Sequence, residues 1–342
     1  MTGITDAVAE SIGDASTLLL VAPSDSCADS TACTDLLTRG SPTYPNVICV
    51  TLNKGPDDRL GVWQQYVGDE LPKRAAIVDA RADGGRAGAA AVASVPSIKL
   101  ETLPEDADLL DLAVTIAAQI GAWTDTSEPT QLCLDSLNTL VSRYAAQDVV
   151  DFVRALNTLC DDFRVFAHHH VDPDDCPESL LAMLRPLYDA VVEREGDGWT
   201  VSTAAESAVE PSFRRTVDSR SGRSSRESVP PDVAPLPYSF DTVLELVVDP
   251  IRRIVLYELK DRPEGEISFD ELVDVVDSRI DASPSGNPGT TGKIALRLLH
   301  THLPKLQETN VIRFDRDAET VSYRPNPALE AHLEYLERLD RG

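Results

Sequence analysis

Basic residues are scarce in this 342-residue chain: Lys and Arg number 31 against 57 Asp and Glu, a formal net charge of −26, and only six of them are lysines (Lys54, Lys73, Lys99, Lys260, Lys293 and Lys305). So much like charge opposes a compact state at ordinary salt. At about 1 M salt, where the Debye length is roughly 3 Å, the repulsion is largely screened. The balance therefore fits a halophilic protein of a salt-rich cytoplasm. Aromatic residues are also few, at 5%. No apolar run approaches the roughly 18 residues of a membrane span. The start, MTGITDAVAESIGDAS, has neither the basic beginning nor the apolar centre of a secretory signal. Together these absences lead to the expectation of a cytoplasmic protein with no membrane partner. None of the six cysteines (Cys27, Cys33, Cys49, Cys133, Cys160, Cys176) forms a CxxC pair, so reduced thiols are expected rather than disulfides.

Residues 1–204 read as an α/β domain. Short continuous apolar runs at 18–22, 46–52, 75–79, 131–134 and 163–167 have the character of strands covered on both faces. Helical patterns at 28–38, 57–67, 106–123 and 147–161 alternate with them, which implies a mostly parallel sheet between helices. The Gly/Ala-rich stretch 81–96 reads as a mobile connection, and 187–201 as a closing hairpin across Gly196–Gly198. Residues 205–236, rich in Ser, Arg and Pro and almost without large apolar side chains, read as a disordered linker. Its Arg214, Arg215, Arg220, Arg223 and Arg226 make it locally basic.

Residues 237–342 carry helical patterns, then VIRFDRDAETVSYRP as two strands around a turn, then a closing amphipathic helix. Asp249 followed by Pro250 marks one helix start. Ser268 with Glu271 forms a capping box for another. Leu296, Leu299, Leu303 and Leu306 read as an apolar stripe, and Pro304 as a kink or a new start near His302. Asn310 suits a left-handed helix end. Leu329, Leu333, Leu336 and Leu339 stripe the last helix, which would either dimerise the protein or pack on its own domain.

The loop SDSCADSTACT occupies the place of a phosphate loop. It has no glycine to turn successive N–H groups inward and no lysine for the phosphates, and Asp25 and Asp29 would repel them. Asp135 ends an apolar strand; it either holds magnesium or caps the next helix through the N–H of Leu137 or Asn138. His168, His169 and His170 follow the last strand, where alternation lets at most two of them converge, whereas a zinc site needs three or four ligands. The C-terminal edge of a parallel sheet is where ligands bind. Asp135, His168, His169, His170 and Asn53 are accordingly the candidate ligand pocket, with no metal, no cofactor and no catalytic residue assigned.

The succession LLLVAPSDS, VICVTLNKGPDDRL, LCLDSLNTLV and FRVFAHHHVDP resembles the RecA/KaiC-like ATPase core over roughly residues 15–200. More narrowly, it resembles a haloarchaeal family of such domains of unknown function that lack the ATP loop. The resemblance implies a catalytic acid after the second strand; here that place holds Asn53, so a scaffold without ATPase activity is expected. LLHTHLPKLQETNVIRFDRDAETVSYRP resembles the recognition helix and wing of ArsR-like winged-helix regulators, and a haloarchaeal winged-helix domain of unknown function over about 240–335. This implies a winged helix-turn-helix in which Lys293, Arg297, His300, Thr301 and Lys305 face DNA bases, and Arg313, Arg316 and Arg324 hold phosphates from the wing. Residues 288–316 are locally basic, five basic residues to two acidic. The expected function is a non-enzymatic, DNA-binding transcriptional regulator whose first domain senses a small molecule or a protein. A signalling scaffold and a residual nucleotide- or metal-dependent hydrolase are the alternatives.

Overall fold

The computed structural model describes residues 6–24, 27–38, 45–68, 71–82, 88–124, 126, 128–203, 238–262, 266–281 and 291–341. The Arg/Ser/Pro segment expected to be disordered, the loop GNPGT and the centre of the Gly/Ala-rich stretch lie outside the described residues.

The first part of the chain runs α1 (Asp6–Ile12), β1 (Thr17–Val21), α2 (Cys27–Leu37), β2 (Asn46–Thr51), α3 (Pro56–Tyr66), β3 (Ala75–Asp79), α4 (Ala90–Ala93), β4 (Ile98–Thr102), α5 (Leu109–Gly121), β5 (Thr130–Asp135), α6 (Leu137–Arg143), α7 (Ala146–Asp162), β6 (Val165–Val171), α8 (Glu178–Leu184), β7 (Ala190–Glu195) and β8 (Gly198–Thr203). It is a mostly parallel eight-stranded α/β sheet, in the order β4-β3-β2-β5-β6-β1-β7-β8. Only the closing hairpin β7–β8 is antiparallel. The expected strands are present, with two differences. Edge strand β4 falls in a segment that sequence pattern left unassigned; its residues are only partly buried, so it lacks the continuous apolar run that betrays a central strand. Strand β6 continues through His168–His170 rather than ending before them, because β1 and β5 flank it and take up its backbone hydrogen bonds.

Side chains alternate across this sheet. One face presents Leu18, Leu20 and Val192 to α1 and α2, and Val47 and Cys133 to α2 and α3. The other presents Leu19, Val21, Ile48, Val50, Leu132 and Leu134 to the principal core, which α5 and α7 help to form. Helix α7 is amphipathic, with Val149, Val150, Val153, Leu156 and Cys160 inward. Helix α5 is different: every residue but Asp111 is buried. A helix buried nearly all round must be covered on both sides; here the sheet lies on one side and the C-terminal part of the chain on the other, where Asp111 and Thr115 meet polar partners.

That second part runs α9 (Phe240–Val247), α10 (Pro250–Lys260), β9 (Glu266–Ser268), α11 (Phe269–Asp281), α12 (Thr291–Arg297), a π-helical turn (Leu298–His302), α13 (Leu303–Glu308), β10 (Ile312–Asp315), β11 (Thr320–Tyr323) and α14 (Pro327–Arg341). Asp249 caps α10, accepting from Ile251 N–H at 2.8 Å. The strands form a small antiparallel sheet in the order β10-β11-β9. Asn310 adopts the left-handed conformation, φ 62°.

The apolar stripe expected from Leu296, Leu299, Leu303 and Leu306 is corrected in part. Ile294, Leu298, Leu303 and Leu306 are buried, whereas Leu296 is 60% exposed. The π turn before Pro304 inserts extra backbone and shifts the helical phase, so the two halves do not share the stripe a straight helix would present.

Helix α9 packs on α5 and α7, and α14 packs on α5 and α10. Phe152 of α7 meets Phe240 of α9 edge to face, centroids 6.2 Å apart. Thr115 Oγ1 of α5 lies 3.1 Å from Tyr335 OH, and His332 Nδ1 lies 2.8 Å from Asp111 Oδ1. The leucine stripe of α14 was expected to serve dimerisation or its own domain. Leu329, Leu333 and Leu336 are fully buried: the helix packs on α10 of its own domain, the second of these alternatives, and also on α5 of the first part of the chain.

Candidate functional site

The β5–β6 register pairs Cys133 with His168. Paired residues on neighbouring strands share a face, and His170, two residues on, shares it too. Helix α2 crosses this face and brings Cys33 down onto it. His168 Nε2 lies 3.3 Å from Cys33 Sγ, Cys33 Sγ lies 3.5 Å from Cys133 Sγ, and Cys133 Sγ lies 3.5 Å from His170 Nε2. All four donor atoms fall within 4.8 Å of one another, on buried side chains.

The electrostatics of this group follow from its neighbours. His170 Nδ1 is 2.7 Å from Asp29 Oδ1, an ion pair buried on both sides. Burial alone would lower the His170 pKa, but the Asp29 carboxylate and the nearby Cys33 carry it well above the ordinary value. The hydrogen bond with Cys133 draws the Cys33 thiol well below the usual range against the effect of burial, and the charges of His168 and His170 add to this. Burial lowers the pKa of His168, whose Nδ1 has no hydrogen-bond partner among the described residues. His169 points to the opposite face, where it meets Tyr188 OH at 2.7 Å and burial takes its pKa down to about 3.

Asp135, at the end of β5, forms a buried ion pair with Arg59 of α3, and Lys54 Nζ stands 4.0 Å away. Burial works against its charge, but Arg59, then His170 and Lys54, hold its carboxyl below the ordinary value. Its expected role as a helix cap is corrected: Ser136 is the residue before α6, and the carboxylate is turned to Arg59. Asn53 is exposed beside Ser136, donating to its Oγ at 3.3 Å and accepting from Thr139 Oγ1. The expected pocket is therefore divided. His168 and His170 converge with two cysteines, Asp135 lies at the strand end with Arg59, Asn53 sits on the rim, and His169 belongs to the other side of the sheet.

The phosphate-loop position is also occupied. Ser24 N–H donates to Asp172 Oδ2 at 2.8 Å, and Asp29 in the first turn of α2 is buried against His170.

In the second part of the chain, Lys293, Arg297, His300 and Thr301 are exposed along α12 and the π turn. Lys305 is half-buried and ion-paired with Glu245 of α9, with Glu308 3.8 Å away. On the β10–β11 hairpin, Arg316 is exposed and Arg313 lies 3.5 Å from Asp315. Arg324 donates to the Asn310 side chain. Asp108, Asp111 and His332 also form a compact polar group. Its carboxylates are already employed: Asp108 caps α5, and Asp111 completes that capping box while holding His332.

Comparison with known proteins gives two family matches. Residues 15–194 match a family of unknown function (DUF7504), and residues 244–322 match a domain of unknown function (DUF7344). The chain is similar to a KaiC-like protein from the hyperthermophilic archaeon Pyrococcus horikoshii OT3, at 12% identity and a TM-score of 0.34, over 54% of this chain and 76% of that one. No curated protein matches. Among the described residues no helix is long and apolar enough to cross a membrane.

Proposed function

The chain belongs to the DUF7504 family of unknown function; since that membership brings no activity with it, we propose from the chain's own geometry that it is a DNA-binding regulator. In this reading a winged helix-turn-helix is mounted on a RecA-like scaffold that no longer works as an ATPase. The observation that carries it is the order helix–strand–helix–helix–hairpin in α10 to β11. The lone strand β9 joins the hairpin strand β11 in one sheet, and Lys293, Arg297, His300 and Thr301 stand exposed on the helix before that hairpin. Such a helix enters the major groove, and the hairpin lies against the backbone. Lys293, Arg297, His300 and Thr301 then read base edges, and Arg313, Arg316 and Arg324 meet phosphates. Lys305 contributes less, being tied to Glu245.

In the salt-rich cytoplasm that the acidic composition suits, counterion release adds little to affinity. Base contacts then carry most of the discrimination, which is compatible with an acidic protein body. The loss of ATPase function is supported by two substitutions in space: Asp29 stands where an anion would meet the helix N-terminus, and Arg59 neutralises Asp135, leaving it no free charge for magnesium.

The test is fluorescence anisotropy of the full chain with DNA fragments recovered by genome-wide occupancy, at molar salt. Lys293→Ala with Arg297→Ala should abolish sequence-specific binding, at about 1–3 kcal/mol per lost base contact. Undiminished binding by the double variant would refute the assignment of this face.

A further inference from the structure

The Cys33, Cys133, His168 and His170 group lies outside the DNA-facing residues of the reading above. We infer that these four residues form a closed, tetrahedral zinc site that staples α2 to strands β5 and β6. Three independent observations lead there.

The first is distance. Zinc–sulfur bonds of about 2.3 Å and zinc–nitrogen bonds of about 2.0–2.1 Å at tetrahedral angles put ligand atoms roughly 3.3–3.8 Å apart. Of the six separations here, three are 3.3 Å for Cys33 to His168, 3.5 Å between the sulfurs and 3.5 Å for Cys133 to His170, and the others lie within 4.8 Å, close enough for a bound ion to draw the ligands in. The sulfurs are far beyond the roughly 2.05 Å of a disulfide.

The second is orientation. Both imidazoles turn Nε2 toward the sulfurs, and His170 is held there by Asp29 on its Nδ1. A carboxylate on the far nitrogen of a ligating histidine fixes its tautomer and ring plane, and is the usual outer support of such a ligand.

The third is the balance of burial. Four polar side chains lie in a buried layer, none more than 4% exposed. Without a metal, their only contacts inside the group are weak ones to sulfur, poor compensation for lost hydration. Two thiolates and two neutral imidazoles around a doubly charged ion cancel its charge and satisfy all four donor atoms. Thiolate and imidazole in a tetrahedral set select zinc over hard cations. With four protein ligands no position is left for water or substrate, so the ion is structural rather than catalytic.

The topology explains why the site would matter. Cys33 is the only one of the four ligands contributed by a helix, and α2 follows the loop between β1 and α2, the place of a phosphate loop in the strand–loop–helix order. Zinc would hold that helix where a nucleotide otherwise would.

The experiment uses the full chain, purified in high salt without chelators. Elemental analysis should find one zinc per chain, released to a colorimetric zinc reporter on unfolding. Replacing zinc by cobalt(II) should produce the intense visible bands of a tetrahedral ion together with thiolate-to-cobalt charge transfer in the near ultraviolet. His168→Gln and Cys133→Ser should each abolish zinc retention while circular dichroism shows whether the fold persists. Should both variants unfold, the cobalt spectrum of the unaltered chain still decides. A folded, zinc-free protein that binds no added zinc and gives only the octahedral cobalt spectrum would overturn the inference. So would a Cys33–Cys133 disulfide in freshly purified protein, found by mass spectrometry under non-reducing conditions. DNA binding is measured separately, so failure here leaves the regulatory reading intact, and the reverse.

Discussion

Gly121, in the last turn of α5, offers a test in which two physical rules predict opposite signs. In an exposed helix, Gly→Ala stabilises by roughly 0.5–1 kcal/mol, since alanine loses less backbone entropy on folding. At Gly121 a Cβ would lie 1.7 Å from the carbonyl oxygen of Val248 and 2.8 Å from its carbon. Val248 sits at the junction of α9 and α10, and its carbonyl accepts from Arg253 Nη1 at 3.2 Å. The overlap is with backbone, so no rotamer change relieves it; α9 and α10 must move off α5 as a unit. Overpacking a tight core costs about 1–3 kcal/mol. Even after the helix-propensity gain, a net loss on the order of 1–2 kcal/mol remains, and the displaced α9 loosens the Phe152–Phe240 contact besides. At about 2–4 °C per kcal/mol for a unit of this size, Gly121→Ala should lower the Tm by several degrees in calorimetry at molar salt. Limited proteolysis should meanwhile cut the α9–α10 region sooner. An unchanged or raised Tm would show that the two parts of the chain do not pack through this contact, and the account of α5 as a helix covered on both sides would fall with it.

Three further outcomes can be measured. Arg59→Met leaves the Asp135 carboxylate buried without its main counter-charge and should cost about 3–5 kcal/mol in denaturant unfolding; Arg59→Met with Asp135→Leu should recover most of that, and additive losses would deny the pair. His332 is held above its ordinary pKa: burial opposes its charge, but the hydrogen bond to Asp111 and the charges of Asp111 and Asp108 prevail. A histidine raised in this way lends stability that is complete below the unfolded value of about 6.5 and fades as pH rises through the folded value. The Tm advantage of the unaltered chain over His332→Gln should therefore shrink between mildly acidic and alkaline pH, and a constant difference would exclude the linkage. Asp29→Asn should weaken zinc retention about 10–100-fold in chelator competition, the usual effect of losing an outer support, whereas equal retention would assign Asp29 to packing alone.

How far the sequence speaks for itself varies with the range of the physics involved. Buried central strands declared themselves as continuous apolar runs. Asp249–Pro250 and Asn310 marked their helix ends through rules that act within a few residues. Pro304 likewise announced a break, although the break takes the form of a π turn, and the resulting phase shift explains why the leucine spacing around Leu296 misled. Strand β4 escaped because edge strands need no apolar run. The extension of β6 through three histidines escaped because imidazoles read as polar, whereas the neighbours that make them strand residues lie far away in sequence. One signal was present and passed over: in LLDLAVTIAAQIG only Asp111, Thr115 and Gln119 interrupt the apolar residues, a polar stripe too narrow for a helix with one face in water, so a second covering layer was already implied.

The four-residue group at the sheet face shows where local reading stops. His168-x-His170 is legible as two side chains on one face. Cys133 joins them once β5 is known to lie beside β6 in that register. Cys33 has no local mark at all, because its position depends on where the β1-to-β2 crossover lays α2. Cysteines one hundred positions apart become neighbours only through the strand order β5-β6-β1, in which β6 separates the strand preceding α2 from β5. That order also sets Asp29 behind His170 and Arg59 beside Asp135, so both carboxylates find their partners within the protein. Asp29, Asp135 and His170 at this end of the sheet are thus committed to one another and to Arg59, whereas Lys293, Arg297 and His300 stand exposed on α12 and the π turn.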